Sequence, residues 1–447
     1  MREGSLEAPT RHPLGWTEPD FWDVEKLDQE IRRVFDICHG CRRCFNLCDS
    51  FPKLFDLVDA SPSGELPDVK SEDLKPVVDA CTLCDMCFMT KCPYVPPHEF
   101  DLDFPHLMLR YRAVEAKAKG VPFVTRELSK TDRNGRLAGM VSGLANWASN
   151  TKNQMTRGVL ENVAGIDRQA SLPKFHGKTF TARAKQSPPT VAADGPAKGR
   201  KAVLYATCFV NYNNPDIGVA AQAVLAHQGV ETRAVYPGCC GMPHLEHGNL
   251  DDVAAKAAKI AAAMAPHLDE GFDIVALTPS CALMLKFEWP LLVPDNPAIK
   301  RLAQATFDLS EYVVDLAKRH GLAPGLQTLP GGVSMHLACH ARAQNMGPKG
   351  AEMLRLIPGT KVQVIERCSG HGGSWGVMKG NFEVALKVGK PAAKLAKEGG
   401  KAFLASECPL AGEHLVQGVE RLGGEGSTFT QSFHPIELMA RAYGLAS

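Results

Sequence analysis

The sequence predicts a multidomain α+β protein with a helical N-terminal region and two tandem α/β subdomains. Three observations favour this class: two N-terminal cysteine quartets among helical patterns, a Pro- and Gly-rich stretch after His176, and strand-like runs alternating with helical ones from Lys201 onward. The chain has 447 residues, enough for roughly two to four domains. We expect a cysteine-rich helical domain, a helical connector with a linker, and two α/β subdomains, at residues 1–105, 106–200, 201–325 and 326–447.

The composition excludes several classes of protein. The formal net charge is +1, so the charge does not indicate a nucleic-acid partner. The N-terminus lacks the apolar segment of a secretory signal, and no run approaches the roughly 18 apolar residues of a membrane-spanning helix. We therefore expect a cytoplasmic protein. Fifteen cysteines in that compartment indicate metal binding or redox chemistry rather than disulfides.

The N-terminal cysteines form two quartets with the spacing of iron–sulfur ligands. The first run is C-x2-C-x2-C-x3-C, and the second is C-x2-C-x2-C-x4-C followed by proline. In two-cluster sites of this kind, the last cysteine of each run binds the neighbouring cluster. One 4Fe–4S cluster is therefore predicted at Cys38, Cys41, Cys44 and Cys92, and the other at Cys81, Cys84, Cys87 and Cys48.

Two four-cysteine zinc sites are the alternative to these clusters. Zinc sites usually pair two separated C-x2-C knuckles, whereas three cysteines at successive x2 steps are typical of iron–sulfur clusters. Apolar residues recur at helical spacing before the first quartet, at Val24, Leu27, Ile31, Val34 and Phe35. Residues 20–105 resemble the helical two-cluster ferredoxin module of iron–sulfur subunits in respiratory dehydrogenases.

The connector is predicted to be helical, with a basic amphipathic segment followed by a linker. Its apolar stripe consists of Leu137, Met140, Val141, Leu144 and Ala148. Either this stripe rests on a membrane surface or a partner, or it packs on the neighbouring domain. Residues 176–200 are rich in Pro, Gly, Ala and Lys, which predicts a linker that ends near Arg200.

The C-terminal half contains an internal repeat of βα units, which predicts two subdomains with mostly parallel sheets. Its cysteines recur at shifts of 129 to 131 residues. The matched positions are Cys208 with Cys339, Cys239 with Cys368, and Thr278–Cys281 with Cys408–Ala411. Because each cysteine follows a strand, we expect them to meet at the edge where open α/β sheets bind ligands.

Adjacent Cys239 and Cys240, followed by glycine, complete a pattern that resembles the cysteine-rich CCG domains of heterodisulfide reductase catalytic subunits. The same order of parts occurs in the C subunit of anaerobic glycerol-3-phosphate dehydrogenase and in the glycolate oxidase iron–sulfur subunit. The resemblance implies a helical two-cluster ferredoxin domain followed by two tandem α/β CCG subdomains. In the reductases, five cysteines per repeat hold a noncubane 4Fe–4S cluster. A further 4Fe–4S cluster, which could be noncubane, is thereby implied at Cys208, Cys239, Cys240 and Cys281.

Both repeats depart from the reductase pattern. Thr278 stands where the first repeat would have its fifth cysteine, and Ser369 and Ala411 replace two cysteines in the second repeat. The cysteines that remain in the second repeat are Cys339, Cys368 and Cys408. Either these three hold a fourth cluster or metal, or they are buried structural residues of a degenerate site. If a cluster is held, one iron stays open or a further ligand is supplied by His340, His371 or Glu407.

The sequence assigns no catalytic residue. No phosphate-binding loop or dinucleotide fingerprint occurs, so electrons have to come from a partner. His244 and His247 are predicted to be exposed loop residues, with proton delivery as the alternative.

The predicted function is an iron–sulfur electron-transfer subunit. The resemblance implies a flavin dehydrogenase as partner and quinone as acceptor, and a peroxide-reducing iron protein is a further possible partner. Contact with a membrane surface would make the protein peripheral on the inner membrane. One alternative is a disulfide or heterodisulfide reductase acting at the CCG site. Another is a docking module in which only the N-terminal clusters are redox-active.

Overall fold

The computed structural model describes residues 7–426 and 428–445. Within these residues, ten α-helices precede the first strand. They are α1 Val24–Cys41, α2 Ser50–Asp59, α3 Lys75–Asp79, α4 Met86–Thr90, α5 Phe104–Lys119, α6 Phe123–Leu128, α7 Thr131–Met140, α8 Ser142–Ser149, α9 Gln154–Ala164 and α10 Phe180–Gln186.

Helix α1 begins at a side-chain cap and ends at the first quartet. The Asp23 carboxylate accepts hydrogen bonds from the backbone N–H groups of Glu25 and Lys26, which satisfies donors that the first turn leaves free. The predicted apolar face is buried, except that Val24 is 65% exposed. The backbone of Arg42 is left-handed, with φ of 52°, and this ends the helix between the second and third cysteines of the quartet.

The first α/β subdomain contains a four-stranded parallel sheet in the order β2-β1-β3-β4. Its elements are β1 Lys201–Tyr205, α11 Cys208–Tyr212, α12 Pro215–His227, β2 Glu231–Val235, α13 Met242–Leu245, α14 Leu250–Asp269, β3 Asp273–Ala276, α15 Pro279–Leu283, α16 Trp289–Leu292, α17 Pro297–Gln304, β4 Thr306–Asp308 and α18 Leu309–His320. A π-helical turn, Met284–Glu288, joins α15 to α16.

The second α/β subdomain contains a three-stranded parallel sheet in the order β6-β5-β7. Its elements are β5 Val333–His336, α19 Cys339–Arg342, α20 Lys349–Arg355, β6 Val362–Ile365, α21 Phe382–Glu398, β7 Phe403–Ser406, α22 Pro409–Leu422 and α23 Pro435–Ala442. The first strand is central in both sheets, with the second strand on one side and the third on the other. The predicted fold class, a helical region followed by two α/β subdomains, is confirmed.

Two features of the fold differ from the sequence prediction. The segment predicted as a linker contains α10, whose Phe180 is fully buried in the core of the first subdomain. Strand β4 was not predicted, because three residues are too few to show an alternating pattern.

The N-terminal helices and the first subdomain share one hydrophobic core. Leu54 of α2 and Met108 of α5 belong to the same buried cluster as Val253 and Ile260 of α14. Arg112 of α5 also donates hydrogen bonds to backbone carbonyl groups on both sides of this boundary. The cysteine quartets are therefore held rigidly against the first sheet.

The connector helices expose the apolar stripe that was predicted either to meet a partner or to pack on the neighbouring domain. Leu137, Met140, Val141 and Leu144 are 48% to 71% exposed. The packing interpretation is therefore wrong. Polar groups of these helices make the contacts that face the rest of the molecule. The apolar side chains therefore face outward.

Candidate functional site

The cysteines of the first subdomain lie at the carboxyl edge of its sheet. Cys208 begins α11 after β1, Cys239 and Cys240 follow β2, and Cys281 lies on α15 after β3. The chain order reverses beside β1, and ligands bind at such switch points in open α/β sheets. The fold thus brings together four side chains that are up to 73 residues apart in sequence.

The four thiols form one hydrogen-bonded group. The Sγ atoms of Cys281 and Cys240 are 3.3 Å apart. Cys239 accepts hydrogen bonds from the thiols of Cys208 and Cys240, and these bonds lower its pKa well below the usual thiol value. The same bonds, together with burial, raise the pKa of both Cys208 and Cys240. Of the four thiols, the arrangement favours the thiolate form most at Cys239.

Two residues of the connector complete the surroundings of this group. The Asp132 carboxylate accepts a hydrogen bond of 3.1 Å from the backbone N–H of Cys239 and another from the Tyr236 hydroxyl. The Thr131 hydroxyl is buried beside Cys208 and Cys239. Sequence reasoning missed both residues, because they lie far from the cysteines in the chain and belong to no spaced motif.

The backbone around the cysteine pair is also fixed by aromatic side chains. The Trp289 indole N–H donates a 3.1 Å hydrogen bond to the carbonyl oxygen of Cys240. The Tyr205 hydroxyl donates a 2.6 Å bond to the carbonyl oxygen of Gly238. Both aromatic side chains are fully buried, so the loop that presents the cysteine pair has little freedom to move.

The thiols of the first predicted N-terminal set lie next to one another. A pocket beside α1 is lined by Cys38, Cys41, Cys44 and Cys92. Burial raises the pKa of Cys44 to about 12 and that of Cys92 to about 11, and thiolate charge on a neighbouring cysteine of the set adds to both shifts. The last cysteine of the second run therefore lies with the first three cysteines of the first run.

The second N-terminal set is grouped in the complementary way. Burial raises the pKa of Cys48, and among the thiols Cys84 and Cys81 add most to this shift. Burial also raises the pKa of Cys87, with further contributions from Cys84 and Cys81 and a smaller one from Cys44 of the other set. The two N-terminal sets are thus close neighbours.

The cysteines of the second subdomain face the N-terminal region. Burial raises the pKa of Cys339, and charges on Cys84, Cys368 and Cys408 add to the shift. The pKa of Cys408 is raised mainly by burial, and Cys281 of the first subdomain adds to it. These three cysteines therefore lie between the second N-terminal set and the thiols of the first subdomain.

The structure separates the three residues that could supply a further ligand in the second subdomain. The Glu407 carboxylate accepts hydrogen bonds from the backbone N–H groups of Ala338 and Gly350, at 3.0 and 3.2 Å. The His340 Nε2 atom lies 3.3 Å from the carbonyl oxygen of Leu83. The His371 Nε2 atom is buried and has no hydrogen-bond partner. The Nε2 atom of His371 is therefore available for another contact.

The glycine-rich loop after Cys368 packs between the N-terminal region and the first subdomain. A Cβ atom on Gly372 would lie 2.7 Å from Thr82 Cγ2, and one on Gly373 would lie 2.6 Å from Glu246 Oε1. Both glycines are left-handed, with φ of 56° and 62°. Only glycine allows this close approach, which presses the loop against the second N-terminal set.

The sequence predicted that His244 and His247 are exposed loop residues, and this prediction is wrong. His244 lies on α13 with 9% of its surface exposed, and its Nδ1 atom is 3.4 Å from the Asp252 carboxylate. His247 is half-buried, and burial lowers its pKa to about 4. The short helix α13 and the turn that follows it bring both residues inward after the cysteine pair.

All fifteen cysteines are free of disulfides. Within residues 7–426 and 428–445, no group of three or more His, Cys, Asp and Glu side chains is arranged to hold a single metal ion. In that same part of the chain, no helix combines the length and apolar character needed to cross a bilayer. The cysteine groups are therefore described by which thiols lie close together, and the role of each cysteine as a ligand is a prediction.

Comparison with known proteins identifies the two sheets. The family model for the cysteine-rich domain, CCG, matches residues 202–286 and 333–412. The chain is 27% identical over 323 residues to the C subunit of anaerobic glycerol-3-phosphate dehydrogenase of Escherichia coli K12, covering 70% of this chain and 76% of that protein. The two matched segments contain β1–β3 and β5–β7, the strands that carry the cysteines.

Two further proteins are similar to parts of this chain. The B subunit of fumarate reductase (CoM/CoB) of Methanothermobacter marburgensis is 26% identical over 290 residues, covering 63% of this chain and 55% of that protein. Lactate utilization protein A of Bacillus cereus B4264 is 27% identical over 241 residues, covering 50% and 94%. This chain therefore contains two cysteine-rich CCG domains, and it resembles the C subunit of anaerobic glycerol-3-phosphate dehydrogenase.

Proposed function

We propose that the protein is an electron-transfer subunit that passes electrons between a redox partner and an acceptor such as quinone. The partner is a flavin dehydrogenase or a peroxide-reducing iron protein. A relative is named as one subunit of a dehydrogenase, which supports a protein partner for this chain. An iron–sulfur cluster held by thiolates takes up and releases single electrons.

The observation that carries this proposal is the continuous arrangement of the cysteine groups. Neighbouring groups influence each other's pKa values through three pairs of thiols: Cys44 with Cys87, Cys84 with Cys339, and Cys281 with Cys408. A row of redox groups close enough to influence one another electrostatically is what a carrier of single electrons needs. A docking module with inert thiols would not require this proximity.

Each group supplies thiols that fit the proposed clusters. The N-terminal sets would hold two 4Fe–4S clusters, with Cys92 and Cys48 exchanged between the runs. Cys208, Cys239, Cys240 and Cys281 would hold a third, and the N–H of Cys239 and the hydroxyl of Thr131 would orient the surrounding polar groups. Cys339, Cys368 and Cys408 could hold a fourth group, for which His371 offers the free ring nitrogen.

The first test counts iron and acid-labile sulfide in the full chain purified without oxygen. We expect about twelve irons per chain, or more if the second subdomain is loaded, and about four fewer in Cys240→Ser. The reason is that this serine removes one of the four thiols that meet at the sheet edge. Reoxidation of the reduced protein by a water-soluble quinone should also slow in the variant.

The matched control for Cys240→Ser is Ser280→Ala, which alters α15 next to Cys281 without removing a thiol. Ser280→Ala should keep the full iron content. Equal iron in the wild type and Cys240→Ser would contradict the proposal for the first subdomain. That result would favour a docking role for the C-terminal half.

A further inference from the structure

A continuous part of the connector exposes large apolar side chains. Eight such residues are 48% to 74% exposed, on α7, α8 and α9 and the turn between the first two. We call them the connector surface: Leu137, Met140, Val141, Leu144, Trp147, Met155, Val159 and Val163. The three helices pack against each other in chain order, so the exposed residues share one region of the molecule.

Helix α9 is inverted relative to an ordinary surface helix. Its Arg157 is fully buried and donates hydrogen bonds to the backbone carbonyl groups of Ser149, Asp167, Arg168 and Ala170. Its Glu161 is 8% exposed and forms an ion pair with Arg168. The helix therefore turns its charged side chains inward and its apolar side chains outward.

Helix α8 follows the same plan. The Asn146 side chain donates a 2.8 Å hydrogen bond to the carbonyl oxygen of Phe175 and accepts one of 2.8 Å from its N–H. Leu144 and Trp147, on the other side of the helix, are 63% and 55% exposed. Because polar contacts already hold the inner faces of α8 and α9, the outer apolar faces are available to something else. Apolar patches of this kind mark interaction sites.

The charges around the connector surface select the kind of partner. Between residues 134 and 163, Glu161 is the sole carboxylate, and it is buried in its ion pair. The exposed charged residues in this range are Arg136 and Lys152, both positive. Exposed apolar side chains that include tryptophan, bordered by basic residues, are typical of helices that lie in the headgroup region of a bilayer.

We propose that the connector surface binds an anionic lipid bilayer. This bilayer proposal rests on the proposed function and deepens it, because a quinone acceptor is dissolved in the membrane. Helix α7 joins the two sites. At its start, Thr131 lies beside the thiols of Cys208 and Cys239 and Asp132 accepts a hydrogen bond from the backbone N–H of Cys239, and at its end Met140 belongs to the connector surface. Ten helical residues span about 15 Å. Binding would hold these thiols close to the membrane surface.

The experiment is co-sedimentation of the full chain, purified without oxygen, with vesicles. One set contains phosphatidylglycerol and phosphatidylethanolamine, and the other contains phosphatidylcholine alone. The test variant is Leu144→Ser/Trp147→Ser, and Met155→Ser/Val159→Ser repeats the test on α9. The matched control is Val24→Ser/Leu395→Ser, which replaces two apolar residues that are 65% and 39% exposed elsewhere.

We expect the wild type and the control to bind anionic vesicles, more weakly at high salt. Each test variant should lose about tenfold or more in binding, because two large apolar groups no longer enter the bilayer. Absence of binding by the wild type would overturn the proposal, and so would equal binding by the test variants. A concentration-dependent dimer that the test variants dissociate would also overturn it, since a second copy would then cover the surface.

Iron content separates this proposal from the proposed function. The test variants should keep the iron and sulfide of the wild type, because the replaced side chains touch none of the cysteine groups. Full iron content without membrane binding would refute the bilayer proposal alone. Missing iron in the wild type would refute the proposed function, whatever the vesicles show.

Discussion

Replacing Arg11 with glutamine is expected to lower the free energy of unfolding by about 3–5 kcal/mol. The Arg11 side chain is 12% exposed, and its guanidinium lies 2.8, 2.7 and 3.3 Å from carboxylate oxygens of Asp85, Asp103 and Glu288. These carboxylates belong to the second cysteine run, the start of α5 and the π-helical turn of the first subdomain. Without Arg11, three negative charges remain buried together, with His106 as their nearest cation.

The effect should depend on pH in a definite direction. Although burial opposes the shift, His106 and Arg11 lower the pKa of Glu288, and the same two residues lower that of Asp103. Groups with lowered pKa values stabilise the fold above their unfolded values, near 4, and lose this contribution as the pH falls. The difference between the wild type and Arg11→Gln should therefore be full at pH 7 and shrink below pH 4.

Urea unfolding without oxygen, followed by circular dichroism, measures this effect. The control is His12→Gln, which disrupts the neighbouring pair between His12 and Asp101, whose side chains are 69% and 57% exposed. The control should change the free energy of unfolding by less than about 0.5 kcal/mol. A loss below about 1 kcal/mol for Arg11→Gln would show that the three carboxylates do not depend on this arginine.

Cys48→Ala and Cys92→Ala are each expected to remove about four irons per chain, but from different clusters. Cys48 lies with Cys81 and Cys84, whereas Cys92 lies with Cys38 and Cys44. Each of the two replaced residues thus lies with cysteines of the other run. Potentiometric titration followed by electron paramagnetic resonance should show one N-terminal signal lost in each variant, and not the same one.

Two further variants provide the matched controls for this exchange. Cys84→Ala should remove the same signal as Cys48→Ala, although the two residues belong to different runs. Cys41→Ala should remove the same signal as Cys92→Ala. If Cys41→Ala and Cys48→Ala instead remove the same signal, each run holds its own cluster and the exchange is refuted.

The pattern of strands and cysteines could be predicted because it is local. Short apolar runs between glycines and prolines mark β1–β3 and β5–β7, and cysteines follow all six of these strands. Parallel strands place their carboxyl ends at one edge, so the meeting of Cys208, Cys239 and Cys281 followed from topology alone. The repeat then carried the same reasoning from the first sheet to the second.

Contacts between distant parts of the chain could not be predicted in this way. Asp132 reaches Cys239 across 107 residues, and no periodic pattern links an acidic residue on a connector helix to a sheet edge. The approach of Cys339 to Cys84 depends on how two whole subdomains pack. An amphipathic pattern also identifies an apolar face without saying where it points, which is why the inverted helix α9 was unexpected.

The raised pKa values of the thiols have a consequence for how the proposed clusters would be loaded with iron. In twelve of the fifteen, the pKa of the thiol is raised, so the protein first holds them as neutral groups. Iron binds thiolates, so each ligand formed must release a proton. Cluster assembly should therefore acidify the medium and become easier as the pH rises. Until then, neutrality lets so many sulfur atoms share one interior without mutual repulsion.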